Sequence, residues 1–199
     1  GFVKSHEKFK HPNIQFHFFP SLIFNHGLVN PDKHGFQFHA SPNRPTSRGF
    51  VKLRSNNPYE NPKIQFNYLK TEEDKQQMRD CVKIARDIFS QPVFKDYVGK
   101  ELRPGKDVEY NEVLDEIIKN TSDTAYHPSC TNKMGTDKMA VVDEETKVHG
   151  ISNLRVVDSS IMPDIVSGNL NAATYMIGEK ASDMILGKKE QPLDVQIFN

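Results

Sequence analysis

Ile14, Phe16 and Phe18 alternate with Gln15 and His17, the period-two pattern of a strand with one buried face, and Pro20 ends the run. Phe36, Gln37, Phe38 and His39 repeat the alternation. The stretch from Ser41 to Ser47 is rich in turn formers, and Val51 and Leu53 then share one face of the segment Gly49 to Arg54. After Asn56, Asn57 and Pro58, the run Ile64 to Tyr68 alternates again. Strands this close together, with turns between them, predict one antiparallel sheet.

The period lengthens at Thr71. Thr71 is placed to cap a helix, with Asp74 three residues on as a stand-in for a capping-box glutamate. Met78, Val82, Ala85 and Phe89, with Ile88 beside them, follow helical spacing until Pro92. A second helix is predicted from about Asn111 to Lys119, with Val113, Leu114, Ile117 and Ile118 as its apolar stripe. Strands followed by helices define an α+β class, an antiparallel sheet with helices on one face.

The last third reads differently. Tyr126 to Gly135 has no period and predicts a loop. Leu154 to Val157 predicts a short buried strand, which leads through Asp158, Ser159 and Ser160 into a loop. A third helix is predicted from Asn171 to Leu186, with Ala172, Met176, Ala181 and Ile185 inward and Gly187 at its C-terminal end. A strand, a polar loop and a helix N-terminus in succession often surround a cofactor.

Charge narrows the function classes. Lys and Arg together number 26, as do Asp and Glu, so no net field draws nucleic acid or anionic lipid. No apolar run reaches the roughly 20 residues of a spanning helix, so any membrane association is expected to be peripheral. The two cysteines, Cys81 and Cys130, make no disulfide framework. The sequence opens on Gly1, straight into a strand-like pattern, and reads as a truncated product or a gene fragment.

Among the eight histidines, His127 stands apart. It lies in Ala125-Tyr126-His127-Pro128, where the proline biases it to extended backbone and so fixes the direction of its ring. Loops on a rigid scaffold favour function, although a hydrogen-bonded structural histidine has the same pattern. Ser167-Gly168-Asn169-Leu170-Asn171 is the second candidate. Backbone N–H groups and two side-chain amides converge there just before a helix, which suits an anion or a developing negative charge; plain N-capping by Asn169 or Asn171 is the bland reading. No metal is expected, because His11, His17, His34, His39 and Cys130 lack the paired close spacing of a zinc site. No Gly-x-Ser-x-Gly elbow exposes a nucleophile, and no G-x-G-x-x-G pattern offers a nucleotide fingerprint.

Taken in order, Tyr126-His127-Pro128-Ser129-Cys130-Thr131, Lys133-Met134-Gly135, Val141-Val142-Asp143, Val148-His149-Gly150, Leu154 to Asp158, Met162-Pro163, Gly168 to Ala172 and Gly178 to Ala181 resemble the C-terminal signature of the glucose–methanol–choline oxidoreductases. The resemblance spans about Ser47 to Ile185, and its wording is nearest that of the choline-oxidising members. Arg48 to Ser55 and Gly99 to Pro104 extend it upstream. Two positions depart from the family pattern: Asn132 replaces a usual cysteine and Ala173 a usual proline. Ala173 can adopt the helical φ that proline would fix, so rigidity rather than function is expected to suffer.

The resemblance implies a substrate-binding domain over 1–120. It implies that 121–199 is the returning strand–loop–helix segment of an FAD-binding domain. It implies oxidation of choline to betaine aldehyde on the path to glycine betaine, with hydride passing to flavin N5 and His127 as acid and base. Asn169 falls on the histidine's partner. Leu170, Asn171 and the turn after them fall near the N1–C2 edge of the flavin, and Asp158 and Ser159 near its diphosphate–ribityl region. Tyr126 would border the quaternary ammonium of the substrate. The implied electron acceptor is a quinone, and the implied location is mitochondrial, against the inner membrane. Another alcohol or glucose dehydrogenase of the family is the nearest alternative. A non-catalytic α+β binding module is the alternative from a different class.

Overall fold

The first unit of the chain is assembled around β2 (Ile14–Phe19). The structure is a computed structural model, and it describes residues 1–24, 27–29, 32–110 and 112–188. Ile14 and Phe16 are buried and His17 is exposed, as the alternation predicts, but Gln15 is also buried and Phe18 exposed, so the pattern holds for only part of the strand. β3 (Gln37–Pro42) pairs antiparallel with β2, opposing Phe16 to Ala40 and His17 to His39, and β1 (Phe2–Val3) pairs with its other edge. Phe16 and Phe38 stack at 4.8 Å across the pair.

α1 (Glu72–Phe89) covers one face of this sheet. Thr71 caps it as expected, its hydroxyl accepting the Asp74 N–H at 3.2 Å. Asp74 itself is not a capping-box residue. It is buried, and its carboxylate accepts the backbone N–H of Thr46 at 2.7 Å and of Ser47 at 2.9 Å. The inward line of α1 is also rotated from the predicted stripe. Cys81 joins Ile14 and Phe16 in the core, and Ile84, Ala85 and Ile88 pack against them. Gln77 is drawn inward because the amide of Asn13 donates to it at 3.0 Å in a buried pair. Fully burying each large apolar side chain of this core stabilises the unit by about 1.5–3 kcal/mol.

α2 (Glu112–Thr121) buries Leu114 and Ile118, whereas Val113 faces solvent. Asn111, expected as the first residue of this helix, lies outside the described residues. Arg79 joins α1 to α2, with its Nε on Asp115 Oδ1 at 2.6 Å and a second donor on Oδ2.

One sheet was expected in this unit, and the described residues form two. β4 (Phe50–Lys52) and β5 (Lys63–Gln65) form a separate antiparallel pair. β5 stops short of the predicted Tyr68 because Asn67 and Leu69 take left-handed backbone, with φ of 57° and 55°. The chains run so close that a Cβ at Gly49 would lie 2.0 Å from the Gln65 carbonyl oxygen. Val51, Leu53, Ile64, Phe66 and Tyr68 all stay exposed, so the alternation is real and its burial is absent.

The contacts divide the chain into Gly1–Ala125 and Tyr126–Asn199. In the second unit Val142, Ile161, Met162, Leu170 and Ala181 are buried. The expected strand at Leu154 to Val157 does not form. Arg155 makes only an isolated bridge to Lys147, and Leu154 and Val157 are exposed. α3 (Asn171–Ile185) ends before Gly187, which takes φ +66° as a C-terminal glycine does. Of its four predicted inward residues only Ala181 is buried, while Met176 and Ile185 are about 60% exposed (61% and 60%). Apolar residues occupy both sides of α3, so spacing alone could not select the inward one.

Candidate active site

The loop from Tyr126 to Gly135 has a backbone that the local sequence alone would not hold. Tyr126 and Cys130 sit at φ +59° and +70°, a left-handed region that costs non-glycine residues free energy. Longer-range bonds hold it there. The N–H groups of Cys130, Asn132 and Met134 donate in turn to the carbonyls of Ser159, Ser160 and Ile161, at 3.4, 2.9 and 2.8 Å. The Asn132 side chain adds a 2.9 Å bond to Ser160 Oγ. Asn132, a departure from the family pattern, is therefore part of the tether.

The partner segment is a single 3-10 turn, Ser159–Ile161, that Asp158 caps by accepting the Ser160 N–H at 2.7 Å. Ser159 Oγ donates to the Pro128 carbonyl at 3.2 Å, directly beside His127. Asp158 and Ser159, predicted as cofactor residues, thus have local partners that shape the loop carrying the histidine.

From the C-terminal side, Gly168 turns the chain at φ +135° and Leu170 is buried as an anchor. Asn169, held between them, donates its amide N–H to Nε2 of His127 at 3.1 Å. That bond makes Nε2 the acceptor of the pair. Both side chains are exposed. The bland reading of the asparagines as caps does not hold. The cap position of α3 is Leu170, and no side chain caps that helix. Its first turn carries no acidic residue to offset the N-terminal dipole. Asn171 begins the helix with its side chain exposed, and Tyr126 is 68% exposed.

The structure therefore brings His127 and Asn169 into contact and sets Asn171 and the α3 N-terminus two residues from that pair. The sequence pattern did not reveal the tether from Asn132 to Ser160 or the left-handed turns. Its only trace was the missing period from Tyr126 to Gly135, and neither Tyr126 nor Cys130, which take positive φ there, is a glycine.

The fold agrees with what similar proteins show. The family model described as GMC oxidoreductase matches residues 45–178, and the chain belongs to that family. It is 50% identical over 192 residues to an oxygen-dependent choline dehydrogenase of Escherichia coli, covering 96% of this chain and 34% of that protein. An oxygen-dependent choline dehydrogenase of Vibrio vulnificus is also 50% identical, over 194 residues, covering 96% of this chain and 35% of its own. The chain spans about a third of the length of these curated relatives. Pyridoxine 4-oxidase from Mesorbium loti superposes with a TM-score of 0.84 at 25% identity, over 95% of this chain and 38% of that one. Formate oxidase of Aspergillus oryzae RIB40, from a structure on its FAD modification, gives 0.81 at 28% identity, over 89% and 32%.

These findings correct one expectation. The mitochondrial, inner-membrane location is overturned, because the relatives at 50% identity belong to Escherichia coli and Vibrio vulnificus, bacteria without mitochondria. No helix among the described residues is long and apolar enough to cross a membrane.

Proposed function

We propose that this chain supplies the catalytic pair and the flavin-facing helix end of an FAD-dependent enzyme that oxidises choline to betaine aldehyde. The observation that carries the reading is the His127–Asn169 bond at 3.1 Å, on exposed side chains next to an uncapped helix N-terminus. Half of the residues are shared with choline dehydrogenases of two bacterial genera, which supports choline over other alcohols.

The donor set fits a flavin. Among the described residues, the start of α3 has no side-chain cap and no first-turn acid, and it carries Asn171 outward beside Asn169. Such a cluster of neutral donors on a positive dipole end suits the electron-rich N1–C2 edge of an isoalloxazine ring. Leu170 would contribute through its backbone, since its side chain is buried. Asp158 and Ser159 would act near the diphosphate–ribityl part, mainly by holding the loop. When bound, the flavin supplies the two-electron acceptor for the hydride.

The protein's own part is proton handling and placement. His127 presents Nε2 as the acceptor of the Asn169 amide, placed to take the hydroxyl proton of the alcohol as a general base. Asn169 can turn its amide N–H from that nitrogen to the alcohol oxygen as negative charge develops there. Tyr126, exposed beside His127, offers an aromatic face to the trimethylammonium group. The acceptor that reoxidises the flavin is proposed to be a quinone, or oxygen as the names of the two bacterial relatives print.

The test uses this sequence within a protein of its relatives' length. Anaerobic choline should bleach the flavin absorbance, and the colour should return with oxygen or a soluble quinone analogue, whichever is the acceptor. A flavin that binds but is reduced by another alcohol and not by choline would transfer the reading to a different member of the family.

A further inference from the structure

The face of β2 and β3 turned away from α1 carries a pair of residues with no role in the reading above. Gln15 opposes Ser41, His17 opposes His39 and Phe19 opposes Gln37, so these six side chains stand in a row on one face. Ile14, Phe16, Phe38 and Ala40 occupy the other face and pack in the core with Cys81. His17 and His39 are both exposed. Directly opposed residues on antiparallel strands have Cβ atoms about 4.5–5.5 Å apart, close enough for two imidazoles to meet at one ion.

The surroundings prepare His39 as a ligand. Gln37 Oε1 accepts the Ile23 N–H at 2.8 Å, so its Nε2 is the atom that donates to Nε2 of His39. The lone pair of that ring nitrogen already faces an electron-poor partner, in the place a cation would take. The Phe19 ring lies 4.5 Å from the His39 ring and supports it.

We propose that His17 and His39 form a two-histidine chelate for a divalent ion of the zinc, nickel and copper class. Imidazole suits these ions. Among the described residues no group of three or more His, Cys, Asp and Glu side chains gathers around one point. Water therefore completes the coordination, and the site is an open, exchangeable one rather than a closed structural centre. The ion displaces the Gln37 N–H from His39.

The experiment is a Zn²⁺ titration followed by calorimetry on this chain and on His17→Ala, His39→Ala and the double variant. Circular dichroism confirms that each is folded, and His17→Gln and His39→Gln replace any alanine variant that is not. One site is expected, at least about tenfold weaker in either single variant and no weaker in the double, because a chelate is lost when either arm goes. Binding that survives either single replacement, or losses that add, would assign the ion to separate histidines such as His6, His11 or His34 and overturn the proposal.

Discussion

Asn169 donates its amide N–H to Nε2 of His127 at 3.1 Å, joining residues 42 apart in sequence. This bond holds the ring from a distant segment, while Pro128, the next residue, restricts the backbone of His127 to extended conformations. Asn169→Ala should therefore cost about 2–4 kcal/mol of transition-state stabilisation, read as a fall in kcat with little change in KM. Asn169→His, which restores a donor, should recover part of the loss. Equal kcat in wild type and the alanine variant would remove Asn169 from the chemistry.

Tyr126 tests the substrate. Its ring is exposed beside His127, at φ +59°. If it borders the trimethylammonium group, Tyr126→Leu should weaken choline binding by about 0.5–2 kcal/mol. The uncharged isostere 3,3-dimethylbutan-1-ol should lose much less, because its tert-butyl group gains nothing from the ring quadrupole. Tyr126→Phe should behave as wild type toward both. Equal losses for the two substrates in the leucine variant would show that the ring contributes shape alone.

Asp74 tests the first unit. Burial alone would raise its carboxyl, but bonds from Ser47 and Thr46 outweigh that and hold its pKa below the ordinary carboxylate value. A depressed folded pKa adds stability that is full above the unfolded value of about 4 and is lost as pH falls through the folded one. Asp74→Ala should destabilise the chain by about 2–3 kcal/mol at neutral pH, since it orphans the Thr46 and Ser47 N–H groups. Urea melts of both proteins should converge as the pH drops below about 4. A gap that is constant from pH 7 to pH 3 would mean that the carboxylate charge plays no part.

Local periodicity was legible, and what depends on distant partners was not. Thr71 marks a helix start through its hydroxyl and Gly187 a helix end through its left-handed backbone, so α1 and α3 were found with nearly correct limits. The inward face of α1 was misjudged because Asp74 and Gln77, polar by type, are drawn in by Thr46, Ser47 and Asn13 from elsewhere in the chain. Val51 and Ile64 alternate as strand residues should, and nothing local says that their shared face is left uncovered. At the candidate site, His127 in its aperiodic loop and the two asparagines were visible as candidates. The pairing of Asn169 with His127 came from the family resemblance and not from the pattern of the residues, because the two stand 42 positions apart in sequence.

The central claim is that His127 handles the substrate proton, and its replacement tests this most directly. In a protein of the relatives' length that carries this sequence, His127→Ala should lower kcat for choline by about 10²-fold or more. Bound flavin, measured by absorbance, should stay near one per chain, because the histidine is not assigned to anchoring the cofactor. Turnover near wild type in a flavin-replete His127→Ala protein would contradict the account.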